Sequence, residues 1–276
     1  MQPWHSQDRH VVRLDWGPGA AESLTTYAVG AGSRVCAVVV DVLSFTTCVS
    51  VAVDAGIRVP PFRWKDESAA RFAESLGATL AQPRSATRGS GAVSLSPASI
   101  RAAGSSGSGD SIRDLVLPSP NGSTTSALLA GAGAEVVAAS LRNRSAVARW
   151  LIGWLESAPR GSAPAAVVVV PSGERWPDGS LRPAVEDLWG AGAVVAALAA
   201  ALEHRAGPLL LSPEAEAAGA AWLAVEERVA EALHDCASGR ELIEQGWASD
   251  VEIAAELDRS QVVPVLADGA FTGSRG

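Results

Sequence analysis

The chain has 276 residues, of which 47% are apolar, 19% charged and 5% aromatic: enough apolar material for a sizeable core and too much for a disordered chain. A formal net charge of -8 with scattered basic residues lacks the basic stripe that duplex binding needs, so no nucleic-acid partner is expected. The longest apolar run, residues 188–202, falls short of the roughly 20 residues that span a bilayer, the N-terminus lacks a signal peptide's apolar core, and Cys36, Cys48 and Cys236 cannot all pair, so a cytoplasmic protein with no membrane partner is expected.

Residues 34–41, rich in valine, read as a buried strand ending at an acid. Residues 45–56 read as a helix stopped by glycine, and 57–62 as a short strand that Pro60 and Pro61 confine to an edge or an end. Residues 66–76 form an amphipathic helix closed by Gly77. The Gly/Ser-rich residues 104–111, together with 87–91, are expected to make a flexible surface excursion. A short strand at 115–117 leads through the turn at 118–122 into a helix ending near Leu129. Two further strands, 135–139 and 165–170, flank a helix at 143–157. From Arg182 the pattern turns helical, at 183–204, 213–234, 239–245 and 250–257, before a last strand at 262–266. The expected fold class is α/β: a mixed, largely parallel sheet flanked by helices, one unit over residues 1–276 with a helical C-terminal lobe at 182–260.

In such sheets ligands sit beyond the carboxyl ends of the strands, where helix N-termini also point. Four segments deliver polar residues there: DVLSFTT (41–47), SPNGSTT (119–125), SLRN (140–143) and PSGE (171–174), followed by the loop and helix start at 177–187. Hydroxyls, amides and backbone N–H groups at a helix start suit an anionic oxygen ligand, and carboxylates beside them suit a hard cation such as Mg²⁺. Together they describe a phosphate-ester site with a bridging metal. Each element also has a structural alternative. Asp41 could cap the turn that follows it, Thr46 and Thr47 could serve capping, and Asn121-Gly122 is a common turn pair. Glu186 and Asp187 gain from the helix dipole in a first turn without further function, and Glu174 could be an ordinary loop acid.

Several other chemistries lack their motifs. Leu43 stands where an Asp-x-Asp phosphatase has its second acid, no cysteine phosphatase loop occurs, and no Walker loop or G-x-G-x-x-G follows a strand. The four histidines have no ligand spacing, so zinc is not expected.

Taken in order, the segments VVVDVLSFTTCVSVAVDAG (38–56), SPNGSTTSALL (119–129), AASLRNRSAVARWL (138–151), SGERWPDGSLRPAVEDLWGAGAVV (172–195) and SGRELIEQGWASDVEIAAELDRSQVVPVLADGAF (238–271) resemble the 2-phosphosulfolactate phosphatase family of Mg²⁺-dependent phosphatases. The resemblance implies a phosphoric monoester hydrolase converting 2-phospho-3-sulfolactate to sulfolactate and phosphate, with Mg²⁺ as cofactor and a small anionic phosphoester as partner. It implies Asp41 and Glu186 as catalytic residues. It further implies Asp41, Glu174, Glu186 and Asp187 as metal ligands, and Thr46, Thr47, Asn121, Gly122, Ser123, Arg142 and Asn143 as substrate contacts. Two departures stand out: Ser44 occupies a position where members usually carry arginine, and Ala81-Gln-Pro83 and Ser94-Leu-Ser-Pro97 replace the usual Gly-Glu-Arg and Gly-Asn-Ser-Pro. A phosphatase acting on another phosphorylated hydroxy acid, or an anion-binding relative without catalysis, is therefore the alternative. A homodimer is the expected assembly.

Overall fold

A computed structural model describes residues 2–63, 67–87, 91–105, 112–157, 164–202 and 211–275. In chain order its strands are β1 (Val12–Leu14), β2 (Arg34–Val40), β3 (Pro61–Phe62), β4 (Thr79–Leu80), β5 (Leu115–Pro118), β6 (Glu135–Ala139), β7 (Ala165–Pro171), β8 (Glu174–Arg175), β9 (Leu181–Arg182), β10 (Val262–Ala267) and β11 (Ala270–Arg275). The α-helices are α1 (Gly17–Gly30), α2 (Phe45–Asp54), α3 (Glu67–Leu76), α4 (Pro97–Ser105), α5 (Gly122–Gly131), α6 (Arg144–Glu156), α7 (Val185–Leu202), α8 (Pro213–Leu223), α9 (Val229–Asp235), α10 (Ala237–Glu244) and α11 (Ala248–Ala254).

The main sheet has the order β1-β7-β2-β6-β10-β11. β1, β7, β2 and β6 run parallel, and β10 and β11 close one edge antiparallel. Side chains alternate across a strand, so the unbroken valine run of β2 feeds both faces. Cys36, Val38 and Val40 join the core under α6 to α11, while Val35, Ala37 and Val39 join the core under α1, α2 and α5. β7 divides likewise, with Val167 and Val169 on the first face and Val168 and Val170 on the second. The α/β class with a largely parallel mixed sheet is therefore the fold, and the helices after Arg182 supply much of one face.

The structure departs from the sequence reading in several places. β5 lies outside the main sheet, in a three-stranded parallel sheet ordered β3-β5-β4. β3 and β4 have two residues each, too few for any periodicity to mark. Within the loop expected at 177–187, β9 returns as a hairpin partner of β8, with Glu174 opposite Arg182, around a Pro177-Asp178 turn in which the Trp176 carbonyl accepts the Gly179 N–H (2.9 Å). The helix expected at 213–234 is two, α8 and α9, separated by a 3-10 turn at Glu226–Arg228 where Val225 is drawn into the core. Of the expected 104–111 excursion, Gly104 and Ser105 close α4, and residues 106–111 lie outside the described residues, as do 88–90 and His204. β1, α1, α4 and β11 add to the elements read from sequence. α7 begins three residues before the apolar run named above. At 18 residues it is the one helix among those described that is long and apolar enough to cross a membrane, yet half of it is buried in this fold, packed against α6, α8 and β7.

Candidate active site

The chain leaves β2 and β1 toward one face of the sheet, through α2 and α1, and leaves β7 and β6 toward the other, through α7 and α6. Neighbouring strands whose continuations part in this way open a crevice at their carboxyl ends. β2 ends there at Val40, followed by Asp41, and β7 ends at Pro171, followed by Ser172, Gly173 and Glu174.

Asp41 is buried and ties three elements together. Its Oδ1 accepts the N–H of Phe45 at the start of α2 (3.0 Å), and its Oδ2 accepts the N–H of Gly122 at the start of α5 (2.9 Å). One carboxylate thus accepts from the first turns of two helices. Gly122 is required by this approach: a Cβ there would overlap the Phe45 ring and come within 2.8 Å of Asp41 Oδ2. From the opposite face, Asp187 in the first turn of α7 accepts the N–H of Val42 at Oδ1 (2.7 Å) and of Gly173 at Oδ2 (2.9 Å). α7 can come this close because Gly190 has no side chain; a Cβ would stand 2.6 Å from Val42 and 2.8 Å from Val40. Glu174 accepts from Asn121 Nδ2 (2.7 Å), which joins the start of β8 to the cap of α5. Glu186, buried, lies beside Cys236, whose thiol is pushed up to about 12 by burial and by the Glu186 charge.

These acids act on one another. Burial, and then the charge of Asp41, push the Glu174 carboxyl up to about 7, against the opposing pull of Asn121 and Arg182. Burial likewise drives Asp187 well above the ordinary carboxylate range, reinforced by Asp41, Glu186 and Glu174. The arrangement crowds hard carboxyl oxygens into a low-dielectric crevice where they resist ionising together.

The remaining candidates are placed differently. The hydroxyls of Thr46, Thr47 and Ser123 donate to the carbonyls of Asp41 (2.8 Å), Val42 (2.7 Å) and Leu117 (2.8 Å), so they shape the two helix starts with protons already in use. Asn143 caps its own turn, accepting from Ser140 N–H (2.8 Å) and donating to the Ala138 carbonyl (3.2 Å). Arg142 is not brought to Asp41. Its guanidinium lies along α2, bonded to Ser50 (3.3 Å), Asp54 (3.0 Å) and Glu256, as the buried centre of a partly exposed ion-pair network. The cation that does reach the start of α2 is Arg84, which sequence reasoning did not select. It donates to Ser44 Oγ (2.8 Å) and pairs with fully buried Asp250 (3.1 Å). Nothing local marks Arg84, because its partners stand 40 and 166 residues away.

Among the described residues no three His, Cys, Asp or Glu side chains converge as a metal cage. Mg²⁺ is ordinarily held by one or two carboxylates together with waters and phosphate oxygens, and the mutually repelling Asp41 and Glu174 fit that open mode. A cavity of about 360 Å³ adjoins Glu174, bounded by Asn121, Arg175, Ser172 and the start of α1. The Ser172 hydroxyl there is buried and has no hydrogen-bond partner among the described residues.

A family model described as 2-phosphosulpholactate phosphatase matches residues 24–269, nearly the whole chain. No curated protein matches it. The matched span contains both strand ends that open the crevice, together with Asp41, Glu174, Glu186 and Asp187, and because the match covers nearly the whole chain, the chain belongs to the 2-phosphosulpholactate phosphatase family and is a phosphoric monoester hydrolase.

Proposed function

We propose that the protein is a Mg²⁺-dependent phosphatase of a small acidic phosphomonoester, with 2-phospho-3-sulfolactate as the leading substrate. The observation that carries this reading is the hold of Asp41 and Asp187 on the backbone at the β2 and β7 ends, beside Glu174, where burial and the charges of neighbouring acids raise Glu174 and Asp187. A divalent cation relieves that repulsion. Asp41 and Glu174 would hold the metal, with Glu186 and Asp187 completing the negative field around it. When bound, Mg²⁺ neutralises phosphoryl charge and polarises the P–O bonds.

The protein's own part is positioning and proton transfer. Asp41, fixed by the Phe45 and Gly122 N–H groups, keeps a charged oxygen oriented toward the crevice and takes the proton of the attacking water. Asn121 orients Glu174, and Asp187 pins the Val42 and Gly173 backbones so that the two strand ends keep their spacing. Gly122 lets α5 approach closely enough for its N–H to meet Asp41.

The test is phosphate release from 2-phosphosulfolactate and a panel of phosphorylated hydroxy acids, with Mg²⁺ and with chelator. Metal-dependent release is expected, and Asp41→Asn should lower kcat by about 10²–10⁴-fold. Full activity of Asp41→Asn, or release indifferent to chelation, would sink the reading. A phospho-enzyme trapped on Asp41 would replace the base role with a nucleophilic one.

A further inference from the structure

Arg84 lines a second cavity, of about 440 Å³, that reaches Pro118 at the end of β5. That volume is within the range of small-molecule sites. Gln82, Ser85 and Gln245 contribute neutral polar groups to its wall, Leu80 and Pro118 contribute apolar surface, and no acidic residue lines it among those described. Arg84 is held rigidly. Nε and Nη2 lie on Asp250 (both 3.1 Å), Nη2 also meets Ser44 Oγ, and Asp250 is itself fixed by Ser96 Oγ (2.6 Å) and the Ala98 N–H (3.3 Å). Nη1 has no acceptor among the described residues, so the guanidinium keeps an unfilled donor beside a cavity whose described lining carries no opposing charge.

We propose that this cavity receives a second anionic group of the substrate, a carboxylate or sulfonate, and that Arg84 is the residue that selects for it. The proposal rests on the phosphatase reading above. Arg84 bonds Ser44 and Asp41 bonds the adjacent Phe45, so two hydrogen bonds and one residue step separate guanidinium from carboxylate, a span on the order of 10 Å. A three-carbon chain with a phosphoryl group at one position and an acid group at another, hydrogen-bonded at both ends, fills that distance. A charge-assisted bond to a fixed guanidinium favours such an ester over one whose tail is neutral.

Phosphate release with Mg²⁺ is compared for 2-phosphosulfolactate, 2-phospholactate and isopropyl phosphate, which lacks the second anion, using the full chain, Arg84→Gln and Arg84→Lys. The expected result is a loss of about 10- to 100-fold in kcat/KM on the two acidic esters with Arg84→Gln, mainly through KM, so that their advantage over isopropyl phosphate collapses. Lysine should restore part of it, and the two acidic esters report whether the pocket prefers sulfonate or carboxylate. Equal losses on all three esters, or none, overturn the proposal. Should Arg84→Gln not fold, Ser85→Trp fills the cavity from its exposed rim and must give the same selective loss. Should the wild-type chain release phosphate from none of the esters, the phosphatase reading fails by itself. The pocket is then judged by calorimetry with sulfolactate and lactate: binding weakened about tenfold by Arg84→Gln upholds it, and no binding to the wild-type chain overturns it.

Discussion

Asp41 illustrates how one residue serves both folding and chemistry. It caps α2 and α5 at once, so the alternative open at the sequence level, capping or function, is not a choice between exclusive roles. Glu174 carries the sharper prediction. Its folded-state carboxyl sits at about 7 against an ordinary 4.5, so its charged form is disfavoured in the folded protein. The stability associated with it is complete below about pH 4.5 and declines as pH rises through 7. Thermal melting in chelator should therefore show Glu174→Gln gaining on the wild type between pH 5 and 8, by a few degrees, since about 1 kcal/mol moves the midpoint of a chain this size by 2–4 °C. Mg²⁺ should raise the wild-type midpoint at pH 8 more than that of the variant. An identical gap at both pH values would remove Glu174 from the charge cluster. Much of this was legible: Asp41, Glu174, Glu186, Asp187 and Asn121 all stand where polar residues follow strands. The destinations of Arg142 and Arg84 were not, because an arginine reaches its partner through a long flexible chain and both find carboxylates distant in sequence.

Among elements, the valine-rich strands were legible because burial on both faces demands unbroken apolar runs, whatever the rest of the chain does. The division of residues 213–234 into α8 and α9 was not. No glycine or proline marks the break; it is set by burial of Val225 and by the ion pair of Arg144 with Glu226 (2.8 Å). The pairing of α7 with α8 depends on Gly192, where a Cβ would run into the Ala218 carbonyl and stand 3.0 Å from the Trp222 Cβ. Backbone cannot yield as a flexible side chain does, so Gly192→Ala should push the helices apart and cost about 1–3 kcal/mol or more by denaturant unfolding. An unchanged midpoint would show that α8 shifts freely. Gly219 of α8, with Val195 at 3.8 Å from its Cβ position, has ordinary room and serves as the control.

Across the whole molecule, the Arg142 network does what no single element can. It joins the turn after β6 to α2 through Asp54 and to the segment after α11 through Glu256, which also holds Arg101 of α4 through two hydrogen bonds, 2.7 and 2.6 Å. The Arg101 hydrogen bonds, and then the Arg142 charge, hold the Glu256 carboxyl below its ordinary range. The stability this contributes is present above the ordinary value of 4.5 and is lost as pH falls through the depressed one. Glu256→Gln should accordingly lower the melting temperature at pH 7, by a deficit that narrows as the pH falls below 4.5; a deficit that does not narrow would assign Glu256 a packing role instead.

By itself the sequence determined the α/β class, the buried strands, the polar segments at their ends and the family, because burial periodicity and short collinear motifs are local properties of a chain. Only the tertiary structure decided which of those polar groups share a crevice, that Arg142 belongs to a structural network, and that Arg84 stands at the start of α2. Charge, reach and burial in these cases depend on residues brought together from far apart, and a guanidinium settles wherever the fold supplies the nearest carboxylate.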